Sequence, residues 1–292
     1  RYFAKPAAEL SLAEAALLAG LPQSPERLRP DRHPVAARRR RHTVLDRMLA
    51  TGAITRAQHE AACDEPVRLA AAPPPMPGGM QVGLLALARR PAGGRCALDG
   101  RLQRRLADLA TDHLRALPPG TDAAVVAIHV PTGELRGWIG SADADDAVDG
   151  RVRGPLAWRS PGSALKPLVY AAAFETGLLA PDTTVHDAPL RRAGWEPGNF
   201  DGLHHGPMPA GEALRRSLNT PAIRVAEHVG LDRCVGVMRA AGVRFRHDAG
   251  ARAGLAGVVG AAEVRLLDVT NAYATLARDG VRRGVKLFPD EP

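Results

Sequence analysis

The chain has 292 residues, 45% apolar and 24% charged, a composition that excludes intrinsic disorder and is long enough for two domains, or one with an appended piece. Its net charge of +8 suggests an anionic partner, but no aromatic-rich basic stripe or nucleic-acid motif accompanies it, leaving an acidic membrane surface or a charged intermediate. Cys63, Cys96 and Cys234 form no CxxC pair and no run of about eighteen apolar residues occurs, so neither a zinc site, a disulfide framework nor a bilayer span is signalled.

In chain order, Ser11-Leu-Ala-Glu14 is a capping box, and the apolar run from Leu12 to Leu21 predicts a helix stopped by Gly20 and Pro22. A second helix is predicted from Pro34 to Gly52, with Val44, Leu45, Met48 and Leu49 on its buried face, and a third from a Thr55 cap through Cys63. The run Arg38 to Arg41 reads as a solvated helix face, or as a contact with anionic head groups or a lipid-linked pyrophosphate. Residues 67–97, with Pro73, Pro74, Pro75, Pro77, Gly78 and Gly79 at their centre, read as an extended linker. The predicted boundaries are therefore 1–66, 67–97 and 98–292.

After an amphipathic helix at Leu98 to Leu117 the pattern changes. Two strands, Ala123 to Val130 and Glu134 to Gly140, flank the hairpin turn Pro131-Thr-Gly133. An acidic loop, Asp143 to Asp149, lacks EF-hand spacing and reads as solvated. His204-His205 has no further ligand at metal spacing, so these read as loop histidines in a groove wall. The remainder reads as mostly helix and loop, ending with the segment Ala262 to Ala277, and no internal repeat is found.

Lysine occurs only at Lys5, Lys166 and Lys286. Ser163-Ala-Leu-Lys166 sets a hydroxyl and an amine one helical turn apart on one face. Pro161 and Gly162 put Ser163 at a helix start, where free N–H groups favour developing negative charge. Lys166 can remove the serine proton only if burial or a cationic neighbour keeps its amine neutral. Pro167 cannot donate to the Ser163 carbonyl, so an irregular backbone is predicted there. By itself the motif is equally an ordinary helix start with a serine cap and a solvated lysine. About fifty residues on, Thr220 as N-cap and Pro221 as first residue predict a helix closing at Gly230, leaving Ser217 and Asn219 on the loop before it. SxxK followed at this distance by SxN is far more specific than either motif.

Arg159-Ser-Pro-Gly-Ser-Ala-Leu-Lys-Pro-Leu-Val-Tyr170 resembles the acylation motif of class A penicillin-binding proteins. Glu196-Pro-Gly-Asn-Phe-Asp-Gly202 with Gly206-Pro207, Ser217-Leu-Asn-Thr-Pro-Ala-Ile223, and Asn271-Ala-Tyr-Ala-Thr-Leu-Ala277 with Asp279-Gly280 resemble the same family, nearest its 1C type. Tyr2-Phe3 and the segment from Leu12 to Pro25 resemble the end of a family 51 glycosyltransferase domain. The resemblance implies an α/β (α+β) transpeptidase domain of the serine β-lactamase type over 98–292, preceded by the helical end of a lysozyme-like glycosyltransferase domain. It implies Ser163 as the acylated nucleophile, Lys166 as general base, and Ser217 and Asn219 as assistants in proton transfer and donor-strand binding. The backbone N–H of Ser163 would supply half of an oxyanion hole, and Asn199, Asp201 and Thr220 would contact substrate. The implied ligands are peptidoglycan stem peptides, lipid-linked glycan and β-lactams, without a metal or cofactor, at the periplasmic face of the inner membrane; other cell-wall proteins are implied as further partners.

The family's third motif, Lys-Thr-Gly on a strand, is absent from the sequence, and the only late lysine lies in Val285-Lys-Leu-Phe288. Arg1 is preceded by neither Met nor a signal peptide, so the chain reads as a fragment, and weak cross-linking is the expectation for it. A β-lactamase or carboxypeptidase, and a non-catalytic β-lactam-binding scaffold, remain the alternatives.

Overall fold

A computed structural model describes residues 2–3, 5–70, 76–141, 153–192, 194–246 and 254–291, the side chain of residue 258 excepted. Its chain divides into two units, Arg1–Pro75 and Met76–Pro292. The acidic loop Asp143 to Asp149 lies outside the described residues.

The first unit holds α1 (Leu12–Gly20), α2 (Pro34–Ala50) and α3 (Arg56–Asp64). Ser11 and Glu14 satisfy each other's backbone N–H groups, as do Thr55 and Gln58 at the start of α3. Ala13, Ala16, Leu45, Ile54 and Ala62 form its core. Arg41 departs from the solvated face expected of the arginine run. It shares a helix face with Ala37 and Leu45, is buried, and donates to the carbonyls of Cys63 at 2.7 Å and Glu65 at 2.9 Å. An arginine one turn from two core positions has no route to solvent, so it satisfies the free end of α3 instead.

In the second unit, the stretch expected to be extended linker contains α4 (Gly79–Arg89). Its first proline–glycine cluster ends at residue 79, and Val82, Leu85 and Ala86 then recur at helical spacing and pack with Leu135, Trp138 and Phe288. α5 (Gly100–Leu114), capped by Asp99, is tied to a hairpin of β1 (Val125–Ile128) and β2 (Leu135–Ile139). The buried Gln103 side chain accepts from Trp138 N at 2.7 Å and donates to the Trp138 carbonyl, replacing ladder bonds that β2 lacks on that side. Gly133 turns the hairpin at φ +78°, and its Cα passes so close to the Gly284 carbonyl that a Cβ would sit 2.6 Å away. The late lysine is accounted for here: Lys286 bridges to Glu134 beside the start of β2, with Leu287 and Phe288 buried in this cluster.

The larger core lies among α6 (Lys166–Glu175), α8 (Asn219–Val229), α9 (Leu231–Ala241) and α10 (Leu266–Leu276), with α7 (Ala210–Arg215) before α8. Leu168, Val169, Ala172 and Ala173 from α6 meet Ala222, Ile223 and Ala226 from α8 and Cys234 and Met238 from α9. Two short antiparallel pairs frame this core. One joins β3 (Trp158–Arg159) to β6 (Val264–Arg265), the latter inside a stretch read as mostly helix and loop. The other joins β4 (Thr184–Asp187) to β5 (Gly206–Pro209), where loop was expected. Pro207 and Pro209 hide β5 from a propensity reading, since proline is tolerated only at a sheet edge, and this hairpin is all edge.

Candidate active site

The Pro161-Gly162 turn and Pro167 bracket a segment that cannot be regular α-helix. Residues Gly162–Leu165 form a 3-10 turn, the N–H of Lys166 bonds to the Ser163 carbonyl, and α6 begins at Lys166. Ser163 is exposed and, among the described residues, its hydroxyl has no hydrogen-bond partner. Lys166, three residues on, is only 1% exposed.

The amine of Lys166 ends against the loop before α8. It donates to Asn219 Oδ1 at 2.6 Å, to the Ser217 carbonyl, and to Ser217 Oγ at 3.3 Å. Ser217 has φ +56°, a left-handed conformation uncommon outside glycine, and in it carbonyl and hydroxyl both reach one amine. Burial pushes the Lys166 pKa down from 10.5 to about 8, while the oxygens around it favour the charged form and resist that fall. A lysine in this state can hold or release a proton near neutral pH.

Behind Asn219 lies a buried polar chain with a carboxylate at its end. The N–H of Asn219 donates to Asn199 Oδ1 at 2.8 Å, and its Nδ2 donates to the Gly198 carbonyl at 2.7 Å. Asn199 Nδ2 donates to both oxygens of Asp187 at 2.9 Å and to the Leu203 carbonyl at 2.8 Å. Asp187, 1% exposed, also accepts from the Thr220 hydroxyl, from His205 N at 2.9 Å, and faces His205 Nδ1 at 2.8 Å. Burial pushes this carboxyl up, but the hydrogen bonds from Thr220, Asn199 and His205 outweigh it and hold the pKa well below the usual range.

Lys166, Ser217 and Asn219 are therefore brought together, while Ser163 lies three residues before Lys166 with its hydroxyl exposed. Asn199 and Thr220, expected to contact substrate, are buried instead. α8 starts at Asn219 rather than after Thr220, with Leu218 at the N-cap position, so Thr220 turns inward and gives its hydroxyl to Asp187. Asp201 stays exposed, capping Leu203 N at 3.0 Å and meeting His205 Nε2 at 3.2 Å. His204 and His205 flank Asp187 at 3.5 and 2.8 Å. Asp187 escaped the sequence reading. Its one signal was the alternation in Thr184-Val-His-Asp187, where Val185 and Asp187 point inward.

The turn that carries Ser163 also rests on a glycine contact. Gly260 lies at φ +112°, and a Cβ there would stand 2.4 Å from Gly162 Cα, while its carbonyl accepts from the Ser160 hydroxyl. Tyr273 of α10 donates to the Ala164 carbonyl at 2.9 Å from the other side. Gly260→Ala must displace the turn that carries Ser163. Slower modification of Ser163 by a fluorescent penicillin, by about tenfold or more, is expected with the melting temperature reduced by only a few degrees.

A family profile described as the penicillin binding protein transpeptidase domain matches residues 123–290, and one described as transglycosylase matches residues 1–49. The chain is 39% identical over 292 residues to penicillin-binding protein 1C of Escherichia coli K12, covering all of this chain and 38% of that protein. It is 29% identical over 272 residues to penicillin-binding protein 1A of Streptococcus oralis, covering 84% of this chain and 42% of that one. The chain thus spans about two fifths of the length of these curated relatives. Among solved structures, penicillin-binding protein 1A of Haemophilus influenzae aligns with TM-score 0.60 at 20% identity, over 94% of this chain and 57% of that one. PonA1 of Mycobacterium tuberculosis in complex with penicillin V aligns with TM-score 0.61 at 24% identity, over 71% of this chain and 60% of that one. These likenesses extend the agreement in fold to penicillin-binding proteins of known structure.

Proposed function

The chain belongs to the class A penicillin-binding proteins, and from that premise we propose that residues 98–292 act as a peptidoglycan D,D-transpeptidase acylated on Ser163. The observation that carries the proposal is the Lys166 amine, buried and held by Ser217 and Asn219, three residues from an exposed serine hydroxyl.

Ser163 Oγ attacks the carbonyl between the two D-Ala residues of a stem peptide as its proton passes to the neutral amine of Lys166. The tetrahedral intermediate collapses, the amide bond breaks, and the terminal D-Ala leaves carrying a proton relayed through Lys166 and Ser217. The amine of a second stem then attacks the acyl-enzyme ester, forming the cross-link and returning the proton to Ser163. Asn219, with Oδ1 on Lys166 and Nδ2 on the Gly198 carbonyl, fixes the amine and sets one wall of the substrate cleft. The Ser163 N–H supplies one oxyanion donor, and Asp201 is the exposed member of the neighbouring loop that meets the stem peptide. A β-lactam presents a strained amide to the same hydroxyl and stops at the ester; penicillin V bound to PonA1 supports this reading. Residues 1–66 are assigned to the C-terminal part of a glycosyltransferase domain and 67–97 to the connection. Lipid-linked glycan, the periplasmic face of the inner membrane and other cell-wall proteins are the setting this proposal implies. Among the described residues, no helix is long and apolar enough to cross a membrane.

The test is labelling with a fluorescent penicillin followed by mass spectrometry of the digested adduct. A stable adduct on Ser163, lost in Ser163→Ala, is expected. Label on another residue, or none on a folded chain, overturns the proposal; rapid loss of label with release of hydrolysed β-lactam would instead make the chain a β-lactamase.

A further inference from the structure

A second concavity, of about 500 Å³, is lined by Trp158, Arg239, Gly242, Val243, Arg244, Phe245, Arg265 and Arg282. It is built where β3 and β6 pair beside the C-terminal end of α9, and it shares no residue with the Lys166 site. Four arginines around one hollow repel one another unless something negative lies among them. Among the described residues, the only carboxylate paired with any of the four is Asp268, which binds Arg244 at 2.8 and 3.1 Å. The other three guanidinium groups have, among the described residues, no carboxylate partner. The C-terminus of α9, with Arg239 in its last turn, offsets about half a charge. A surplus of roughly two and a half positive charges remains.

The pocket also holds its arginines in place. Arg265 lies over the Trp158 ring at 4.3 Å, its Nε buried without a partner. Such an orphan donor is costly, and a ligand oxygen or an ordered water is what relieves it. Gly242 has φ +106°, and its bare Cα lets Arg282 pack across it: a Cβ there would stand 3.1 Å from Arg282 Nε. Stacked or packed guanidinium groups surrender less freedom on binding than free surface arginines do, and their planar forks match phosphate oxygens in pairs.

We propose that this hollow is an anion site, separate from the transpeptidase centre, which takes a compact polyvalent phosphate such as a diphosphate. Its concave shape favours a small anion over a flat membrane surface, and the charge surplus favours an ion carrying two to three negative charges over a single carboxylate. Arg239 and Arg282 bind it from the exposed rim, while Arg265, stacked on Trp158, adds its charge to the lining.

Inorganic pyrophosphate is the probe, titrated into the chain with binding read by calorimetry and by the fluorescence of Trp158. Saturable binding that weakens as salt is raised is expected. Arg239→Gln with Arg282→Gln, both exposed and outside the core, should weaken it by about tenfold or more, whereas Arg101→Gln with Arg105→Gln on α5 should leave it unchanged. Labelling of Ser163 by penicillin should be the same in every variant, which keeps this test apart from that of the catalytic reading. No saturable binding, or equal losses in the two double variants, overturns the site. Binding to phosphatidylglycerol vesicles but not to free pyrophosphate overturns it in favour of a lipid surface.

Discussion

Replacing Lys166 with alanine is expected to slow acylation of Ser163 by about a hundred- to ten-thousandfold, the range of a lost general base. Ser163 itself stays in place, because its turn is set by Pro161, Gly162 and the contacts of Gly260 and Tyr273. The pH profile separates lost proton transfer from a general disturbance. With the amine at about 8, the fraction of base rises about tenfold per pH unit up to that point and then levels, and acylation should follow it. In Lys166→Ala that rise should vanish. Stopped-flow acylation between pH 6 and 10 measures both; a residual rate with the same pH dependence would exclude Lys166 as the base.

The same group makes an independent statement about stability. Its folded pKa lies below its ordinary 10.5, so the folded state gives up the proton first as pH rises. Below about pH 8 the folded chain bears the cost of a buried ammonium, and between 8 and 10.5 that cost is relieved, so stability increases across this window. The drop from 10.5 to about 8 corresponds to roughly 3 kcal/mol. Removing the amine relieves this cost but leaves the Ser217 carbonyl and Asn219 Oδ1 without a donor, at about 1–3 kcal/mol each. These two effects nearly cancel, which leaves the cavity opened by the lost stem, at about 2–5 kcal/mol, as the net cost, so Lys166→Ala is expected to fold with reduced stability.

Asp187→Ala is expected to destabilise the chain by roughly 3 kcal/mol or more, since it strands buried donors of Thr220, Asn199 and His205 at about 1–3 kcal/mol each. That corresponds to a fall of about 6–12 °C in melting temperature for a domain of this size. The effect on chemistry reaches further than stability. Asn199 would lose the carboxylate that orients its amide, Asn219 would lose the Asn199 acceptor on its N–H, and the Lys166 amine would lose a fixed partner. Penicillin labelling of the fraction still folded should fall about tenfold or more. Asp187→Asn keeps one acceptor oxygen and should recover part of both. The carboxylate's contribution is present above its ordinary value of 3.8 and is lost as pH falls towards its depressed folded value, so the stability gap between parent and Asp187→Ala should narrow only in strong acid. Unchanged labelling of folded Asp187→Ala would confine this residue to a purely structural role.

What could be read early followed from local rules. Ser11 with Glu14 and Thr55 capped the helices they were expected to cap, because a capping box acts within four residues. Gly133 turned the β1–β2 hairpin for the same local reason. Elements failed where distant contacts decided: α4 lay hidden behind prolines that stop at residue 77, and β5 was masked by Pro207 and Pro209. Arg41 was placed in solvent by a charge pattern, whereas the carbonyls awaiting it belong to a helix some twenty residues away.

The sequence by itself determined that Ser163 and Lys166, the proposed nucleophile and base, lie three residues apart across a single turn. It also pointed to Ser217 and Asn219 through the order and spacing of the paired motifs, and the structure sets both against the Lys166 amine. Only the tertiary structure decided what makes Lys166 usable. Burial of its stem in the α6–α8 core and the left-handed turn at Ser217 arise between segments about fifty residues apart. Only the tertiary structure showed Asp187 as the support beneath them, because a buried carboxylate is tolerated where several donors converge, and these come from the loop before β5 and from α8.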